Sequence, residues 1–426
     1  MAEKKAPEIR FRGFDEEWKT QEFNSTFICS IPNNTLSRAE LNYDNGVIKS
    51  VHYGDILINY GSIINCSKDI IPYITNGNIN HYKNQLLQDG DILIADTAED
   101  ETVGKAAEIA QIKSSYVVSG LHTIVCRPII PIAPDYMGYF INSPAFHNQL
   151  LPLMQGIKVL AISRTSLFQT EISYPIKNQE QDRIGDLFVF LDQLIFESKQ
   201  KIEKLQQVKA AMLEKMFPKE GADVPEIRFA GFSDHWEKHT IGELMNVFSA
   251  ARVHKNEWKE YGVPFFRASD VTFAFKQEKN TKAFISYDLF EELSKKSGKL
   301  QQGDILITGG GTIGIPYLVP NNDPLYFKDG DLLCIQKSDS VNCNFLYIFF
   351  TTQLFRNYVN SITHIGTISH YTIEQINATP VKFPKISEQK KIGEFFHNLD
   401  EQINLQQKEL EKLQNLKAAL LEKMFI

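Results

Sequence analysis

The chain has 426 residues, 43% of them hydrophobic and 11% aromatic, which is more than one core usually organises and enough apolar material for two. Its 45 Lys and Arg against 52 Asp and Glu leave a net charge of −7, which argues against a protein that grips nucleic acid alone by neutralising phosphates and leaves that grip to a partner. Cys29, Cys66, Cys126, Cys334 and Cys343 form no CxxC pair, the opening MAEKKAPEIRF has no apolar leader core, and no apolar run approaches the roughly 20 residues that span a bilayer, so the expectation is a soluble cytoplasmic protein without a metal or disulfide scaffold.

Along the chain, the first feature is the segment Pro7-Glu-Ile-Arg-Phe-Arg-Gly-Phe14, closing at Trp18. It returns as Pro225-Glu-Ile-Arg-Phe-Ala-Gly-Phe232, closing at Trp236. Next comes Gln88-Asp-Gly-Asp-Ile-Leu-Ile94, whose apolar run predicts a buried strand and which returns as Gln301-Gln-Gly-Asp-Ile-Leu-Ile307. Phe146-His-Asn148 returns as Phe355-Arg-Asn357, and the segment from Gln181 to Leu213-Glu-Lys-Met-Phe217 returns from Gln389 to Leu421-Glu-Lys-Met-Phe425. The order is kept, so the chain is a tandem duplication. Similarity is strong at the ends of each copy and weak between them, which suits one core carrying two different binding surfaces. The weakly alternating Tyr53–Gly61 segment, YGDILINYG, has no counterpart visible in the second copy.

From about Glu180, Ile184, Leu187, Leu191, Leu194, Leu205, Val208 and Met212 recur at three- and four-residue steps, a heptad seam that breaks near Ser198 and Ile202. The second copy repeats the pattern with Ile392, Phe395, Leu399, Ile403, Leu410, Leu413, Leu416 and Leu420. A helix of some 36 residues is about 55 Å long and needs a partner helix outside any one globular core. The other copy, packed antiparallel, supplies it and gives pseudo-twofold symmetry. Lys219-Glu-Gly-Ala-Asp223 forms the linker. The fold class expected is α+β, with two globular domains joined by two long antiparallel helices in a coiled coil.

The PEIRF-x-GF…W openings, the GDILI strands, the EQ-x-x-I helix starts and the AA-x-LEKMF helix ends together resemble the specificity subunits of type I restriction–modification enzymes. The resemblance covers nearly the whole chain. It implies an N-terminal segment at 1–18, a first target-recognition domain at 19–177 and a spacer helix at 178–217. A linker with the repeat start then occupies 218–236, a second recognition domain 237–386, and a second spacer helix 387–426. It also implies that each domain reads one half of a split DNA site, and that two methyltransferase subunits, joined by restriction subunits for cutting, carry the catalysis. On that reading the chain is no enzyme and holds no cofactor, with S-adenosylmethionine and ATP on its partners.

Candidate base readers follow from the divergent middles. Val263-Pro-Phe-Phe-Arg-Ala-Ser-Asp270 resembles the family's strand-and-turn motif and offers Arg267 and Ser269; Arg267 can bridge guanine O6 and N7 or, equally, pair with Asp270 to brace the turn. His364-Ile-Gly-Thr-Ile-Ser-His-Tyr371 offers His364, Thr367, His370 and Tyr371, and its counterpart Gln155–Arg164 offers Lys158 and Arg164. After the GDILI strand the first copy is acidic through Asp96 to Glu101 and ends at Lys105, whereas the second reads Thr308-Gly-Gly-Gly-Thr-Ile-Gly314 and offers Thr312. Tyr60 and His122 complete the set.

Other signals carry no chemistry. Gly309–Gly314 satisfies GxGxxG, but Pro316 and Pro320 oppose the helix that a dinucleotide site requires, and no P-loop occurs. Asn322-Asp-Pro-Leu-Tyr326 has Leu325 where an amino-methyltransferase signature needs its second proline, and His235 with His239 lacks the ligands that complete a zinc set. The competing reading is a coiled-coil interaction scaffold without DNA specificity.

Overall fold

The computed structural model describes residues 6–113, 115–363 and 370–426 and divides into two compact units. One holds residues up to Lys199 together with Lys408–Ile426; the other holds Gln200–Gln407.

In the first unit a five-stranded sheet runs in the order Phe27–Ile28, Thr123–Pro128, Ile92–Ala95, Ala106–Ala110, Ile63–Asn65. Ile92–Ala95 is buried throughout, as a central strand with both faces covered must be. The QxGD turn before it has a local cause: Gly90 adopts φ 87°, and the buried Asp91 carboxylate accepts the Gln88 N–H at 2.8 Å and both Arg127 donors at 2.7 Å. The second unit repeats the device, with Gly303 at φ 94° and Asp304 accepting the N–H groups of Gln301 and Lys337. Its sheet runs Val247–Phe248, Leu332–Ile335, Ile305–Thr308, Pro316–Leu318. Each unit adds a smaller sheet built on a parallel pair, Ile48–Val51 with Tyr116–Ser119 in the first and Val263–Phe266 with Tyr326–Phe327 in the second.

The short strands Lys19–Glu22 and Glu171–Tyr174 pair antiparallel at the entrance to the first long helix, as Glu237–Thr240 and Pro380–Phe383 do before the second. Those helices run Asn178–Lys215 and Ile386–Lys423. Their EQ starts are anchored alike. Arg10 grips Glu180 with two bonds of 2.6 and 2.8 Å, and Arg228 grips Glu388 with bonds of 2.7 and 2.8 Å. The neighbouring Gln181 and Gln389 each donate to a proline carbonyl and accept a backbone N–H. Buried carboxylates held bidentately by Arg are the geometry in which a desolvated pair is tolerable, and they explain the conserved PEIRF and EQ spacing between the copies.

Within the first unit the helices are antiparallel: Phe188 stacks on Phe425 at 5.7 Å, and one turn on Asp192 pairs with Lys417 at 2.5 Å. Within the second unit Lys209 pairs with Asp400 at 2.5 Å and Phe217 meets Phe396 at 6.5 Å, again antiparallel. The two helix ends are exchanged. Met216 and Phe217, just past the first helix, sit in the core of the second unit with Trp236, Phe345 and Phe396. Met424 and Phe425, just past the second, sit in the core of the first with Trp18, Tyr136, Phe140 and Phe188.

Three expectations need correction. The seam does not break, because Ser198 and Ile202 are both buried. Leu416 (48% exposed) and Val208 lie off it, while Phe188 and Phe396, which the heptad count omits, are wholly buried. Ile184, Leu191 and Leu399 are buried, with Leu187, Leu194, Leu205, Leu413 and Leu420 half-buried along it. And YGDILINYG does have a counterpart: Tyr53–Ile58 is a short helix following the Ile48–Val51 strand, as helix Ala268–Lys276 follows Val263–Phe266.

Candidate nucleic-acid interface

In both units the helix after the parallel strand pair carries an Asp at its third position, buried and bridged by an arginine. Asp55 accepts from Arg38 at 2.7 and 2.9 Å and from Asn59 at 2.8 Å. Asp270 accepts from Arg267 at 2.7 and 3.0 Å and from Asn280 at 2.9 Å. A carboxylate in the first helical turn also suits the positive end of the helix. The two arginines come from different places in the chain, which is why the equivalence is invisible in an alignment of letters. The hydrogen bond and charge of each Asp hold its arginine above the ordinary guanidinium range.

Arg267 is therefore committed. Besides Asp270 it donates to the Thr281 carbonyl at 2.6 Å and lies over the Trp258 ring at 5.8 Å. The bracing role of the two left open by the sequence is the one its contacts show. Ser269, two residues on, is exposed at the helix start.

The loops that the sequence singled out are paired in space. In the first unit Leu160–Ala161 forms an antiparallel pair with Thr97–Ala98, and the Ile162 N–H donates to the Asp96 carbonyl at 2.9 Å. In the second, the Tyr371 N–H donates to the Gly309 carbonyl at 2.8 Å, the same bond at the equivalent place. The turn before the adjoining strand completes each cluster: the Asp96 N–H donates to the His122 carbonyl, and the Gly309 N–H to that of Asp331.

His122, at φ 56° in this turn, places Nδ1 3.1 Å from the Asp96 carboxylate and its ring edge-on to Tyr53 at 5.2 Å. Burial pushes the Asp96 carboxyl up, opposed by His122 and by the charge of Arg164. Burial, followed by the charge of Arg38, pushes the neighbouring His52 imidazole down, while its Nδ1 accepts the Gly54 N–H and caps the helix. The fold thus gathers His122 and Arg164 about Asp96, with the exposed Lys158 in the loop that precedes Arg164. In the second unit it leaves Thr312 exposed in the glycine loop and His370 exposed beside it. His364 and Thr367 lie outside the described residues.

Three candidates are placed inside. Tyr60 is buried and donates its hydroxyl to the Ile70 carbonyl at 2.9 Å. Lys105 donates to the carbonyls of Leu57 and Tyr60 at 2.9 and 3.2 Å, bracing the end of the Tyr53–Ile58 helix, and burial lowers its ammonium pKa. Tyr371 is 1% exposed, its hydroxyl bonded to Thr379 and its pKa raised by burial. These side chains shape the clusters from beneath. Sequence reading passed over Arg38 and Tyr53, which stand at the first cluster, and Arg252, which is largely exposed near Asp329 at 3.9 Å in the second unit. Only the fold brings them there.

The arrangement offers hydrogen-bond donors, cations and backbone amides on loops. The GxGxxG segment leads into the strand Pro316–Leu318 and not into a helix. Among the described residues no three His, Cys, Asp or Glu side chains group as a metal site would require, and no helix is long and apolar enough to cross a membrane.

Residues 233–415 match the family model of the type I restriction modification DNA specificity domain. The chain is 25% identical over 254 residues to the type I restriction enzyme MjaVIII specificity subunit of Methanocaldococcus jannaschii, covering 57% of this chain and 58% of that one. It is 22% identical over 352 residues to the putative type I restriction enzyme MjaX specificity subunit of the same organism, covering 78% and 76%. The first of these alignments thus spans little more than half of that relative's length. The crystal structure of a type I restriction–modification S subunit from M. genitalium superposes with a TM-score of 0.62 at 14% identity, over 99% of both chains. The two copies share one fold, and the second of them matches the specificity-domain model. Residues 233–415 carry the type I restriction modification DNA specificity domain, and over its whole length the chain has the fold of a type I restriction–modification S subunit.

Proposed function

We propose that this chain is the DNA-recognition component of a type I restriction–modification complex and that each loop cluster reads one half of a bipartite site. The observation that carries the reading is one framework built twice with different chemistry at its rim. In both copies a buried Asp–Arg pair fixes a helix start and a backbone bond joins two loops. The first rim then presents His122, Lys158 and Arg164, and the second Ser269, Thr312 and His370. Cations and hydroxyls of this kind reach base edges and phosphates.

The recognition domains are assigned to 19–177 and 237–386, with the long helices between them as spacers. A net charge of −7 leaves phosphate neutralisation to partners. Two methyltransferase subunits, with restriction subunits when cutting, are the partners proposed, and S-adenosylmethionine and ATP belong to them.

The test is methylome sequencing of cells expressing the chain with its neighbouring methyltransferase subunit, against cells lacking the chain. A split motif methylated in both halves only when the chain is present is the expected result. No chain-dependent methylation would overturn the assignment and favour an interaction scaffold.

A further inference from the structure

Cys29 and Cys126 face each other across two neighbouring strands. The Phe27–Ile28 strand pairs with Thr123–Pro128 in antiparallel register, Ile28 opposite Arg127. One residue further along that register, Cys29 lies opposite Cys126, with the two sulfurs 3.0 Å apart. The Ile129 N–H donates to the Thr26 carbonyl at 2.9 Å, so 26 and 129 form a hydrogen-bonded pair. Because such pairs alternate, 29 and 126 form a non-hydrogen-bonded one. That is the closer type, with Cα atoms about 4.5 Å apart, inside the range a disulfide accepts.

The second copy shows what this position needs for packing alone. There Val247 faces Ile335 in the equivalent register, an aliphatic pair in an otherwise matching sheet. Two thiols are thus not required by the core. They also differ from each other. The bond from Cys126, against the opposing effect of burial and with help from the charge of Arg164, draws the Cys29 thiol down, whereas complete burial pushes Cys126 up. Cys29 lies just past a two-residue edge strand, where local opening is least costly.

We infer that Cys29 and Cys126 form a dithiol in the first unit that peroxide converts reversibly to a disulfide without a change of strand register. The Cys29 thiolate attacks one peroxide oxygen and breaks the O–O bond; with a proton, the other oxygen leaves as water and Cys29 becomes a sulfenic acid. The Cys126 sulfur then bonds to the Cys29 sulfur, and its thiol proton leaves with the sulfenic hydroxyl as a second water. The two thiols lose two electrons and the peroxide gains them. The crosslink ties the edge strand to the strand that begins directly after His122, so the loop cluster of the first unit stands on the oxidised pair.

The full chain is treated with hydrogen peroxide, alkylated in denaturant and mapped by mass spectrometry. The expected product has lost two hydrogens, carries a Cys29–Cys126 peptide crosslink, retains three alkylated thiols of its five, and recovers all five after dithiothreitol. Cys29→Val, which copies the second unit's own solution at this place, folds with an unchanged circular dichroism spectrum and never forms the crosslink. Oxidation confined to Cys343, with Cys29 and Cys126 still alkylated, would overturn the inference, as would a crosslink joining either cysteine to another partner.

Discussion

Phe425 belongs by sequence to the second copy and by packing to the first unit, so its removal discriminates between the two. Its ring sits 5.7 Å from Phe188, 5.8 Å from both Tyr136 and Phe140, and 6.4 Å from Trp18. Truncating a buried Phe to Ala costs about 3–5 kcal/mol, and aromatic neighbours on several sides place Phe425→Ala toward the upper part of that range. Against a typical domain stability of about 5–15 kcal/mol this is a large fraction. At about 1.4 kcal/mol per factor of ten, exchange through opening of the first unit should quicken roughly 100- to 3000-fold. Peptide-resolved hydrogen exchange reads where. Residues 92–95 and 136–141 should lose protection, while 305–308 and 332–335 keep it. Phe217→Ala should do the reverse. If Phe425→Ala instead loosened 305–308 and spared 92–95, the exchanged helix ends would be refuted.

Other outcomes follow from the same contacts. Arg164→Ala should cost about 1–3 kcal/mol of discrimination in one half-site of the methylated motif if it touches a base, and Lys158→Ala should flatten the salt dependence of complex binding by about one phosphate contact; methylation profiles and binding titrations read each. Arg38→Ala leaves the buried Asp55 carboxylate unpaired and should destabilise the Tyr53–Ile58 helix by about 3 kcal/mol, visible as local exchange, whereas a merely exposed arginine would leave it unchanged. Glu108 is buried, accepting the N–H groups of Asp135 and Gly138 at 2.7 and 2.9 Å, and burial pushes its carboxyl up to about 7. A raised folded-state value means the group's contribution is fully present below about 4.5 and is lost as pH rises through 7, roughly 3 kcal/mol in all. Glu108→Gln should therefore flatten the pH dependence of unfolding between pH 5 and 8; an unaltered slope would place the titration elsewhere. Exchanging residues 19–177 for another recognition domain should change one half-site and leave the other.

Much of the architecture was legible in the letters because it is carried by local periodicity. The three- and four-residue spacing from Ile184 to Met212 and from Ile392 to Leu420 specifies helices whatever they pack on, and the structure starts them at Asn178 and Ile386. The apolar run ending QxGDILI marks a buried strand for the same reason, and repetition of these segments marks two copies. Phe188 and Phe396 were missed because a strict heptad leaves them off the seam, and a helix buried on a wider face does not respect that count.

What tertiary structure alone decided is which groups meet. From its letters Arg267 could read a base or brace its turn on Asp270, and the contacts of the folded chain, with Asp270 and the Thr281 carbonyl, show the second. Tyr371 looked like a loop phenol, and its burial depends on a core assembled from distant segments. Lys105 likewise spends its charge on carbonyls 45 and 48 residues away. The sequence by itself determined the duplication, the long helices and the strands, since these rest on neighbours in the chain. The partners of Phe425, Asp55 and Asp192, the last bonded to a lysine 225 residues away, were settled only by folding, because burial and pairing are properties of groups that the chain brings together from afar.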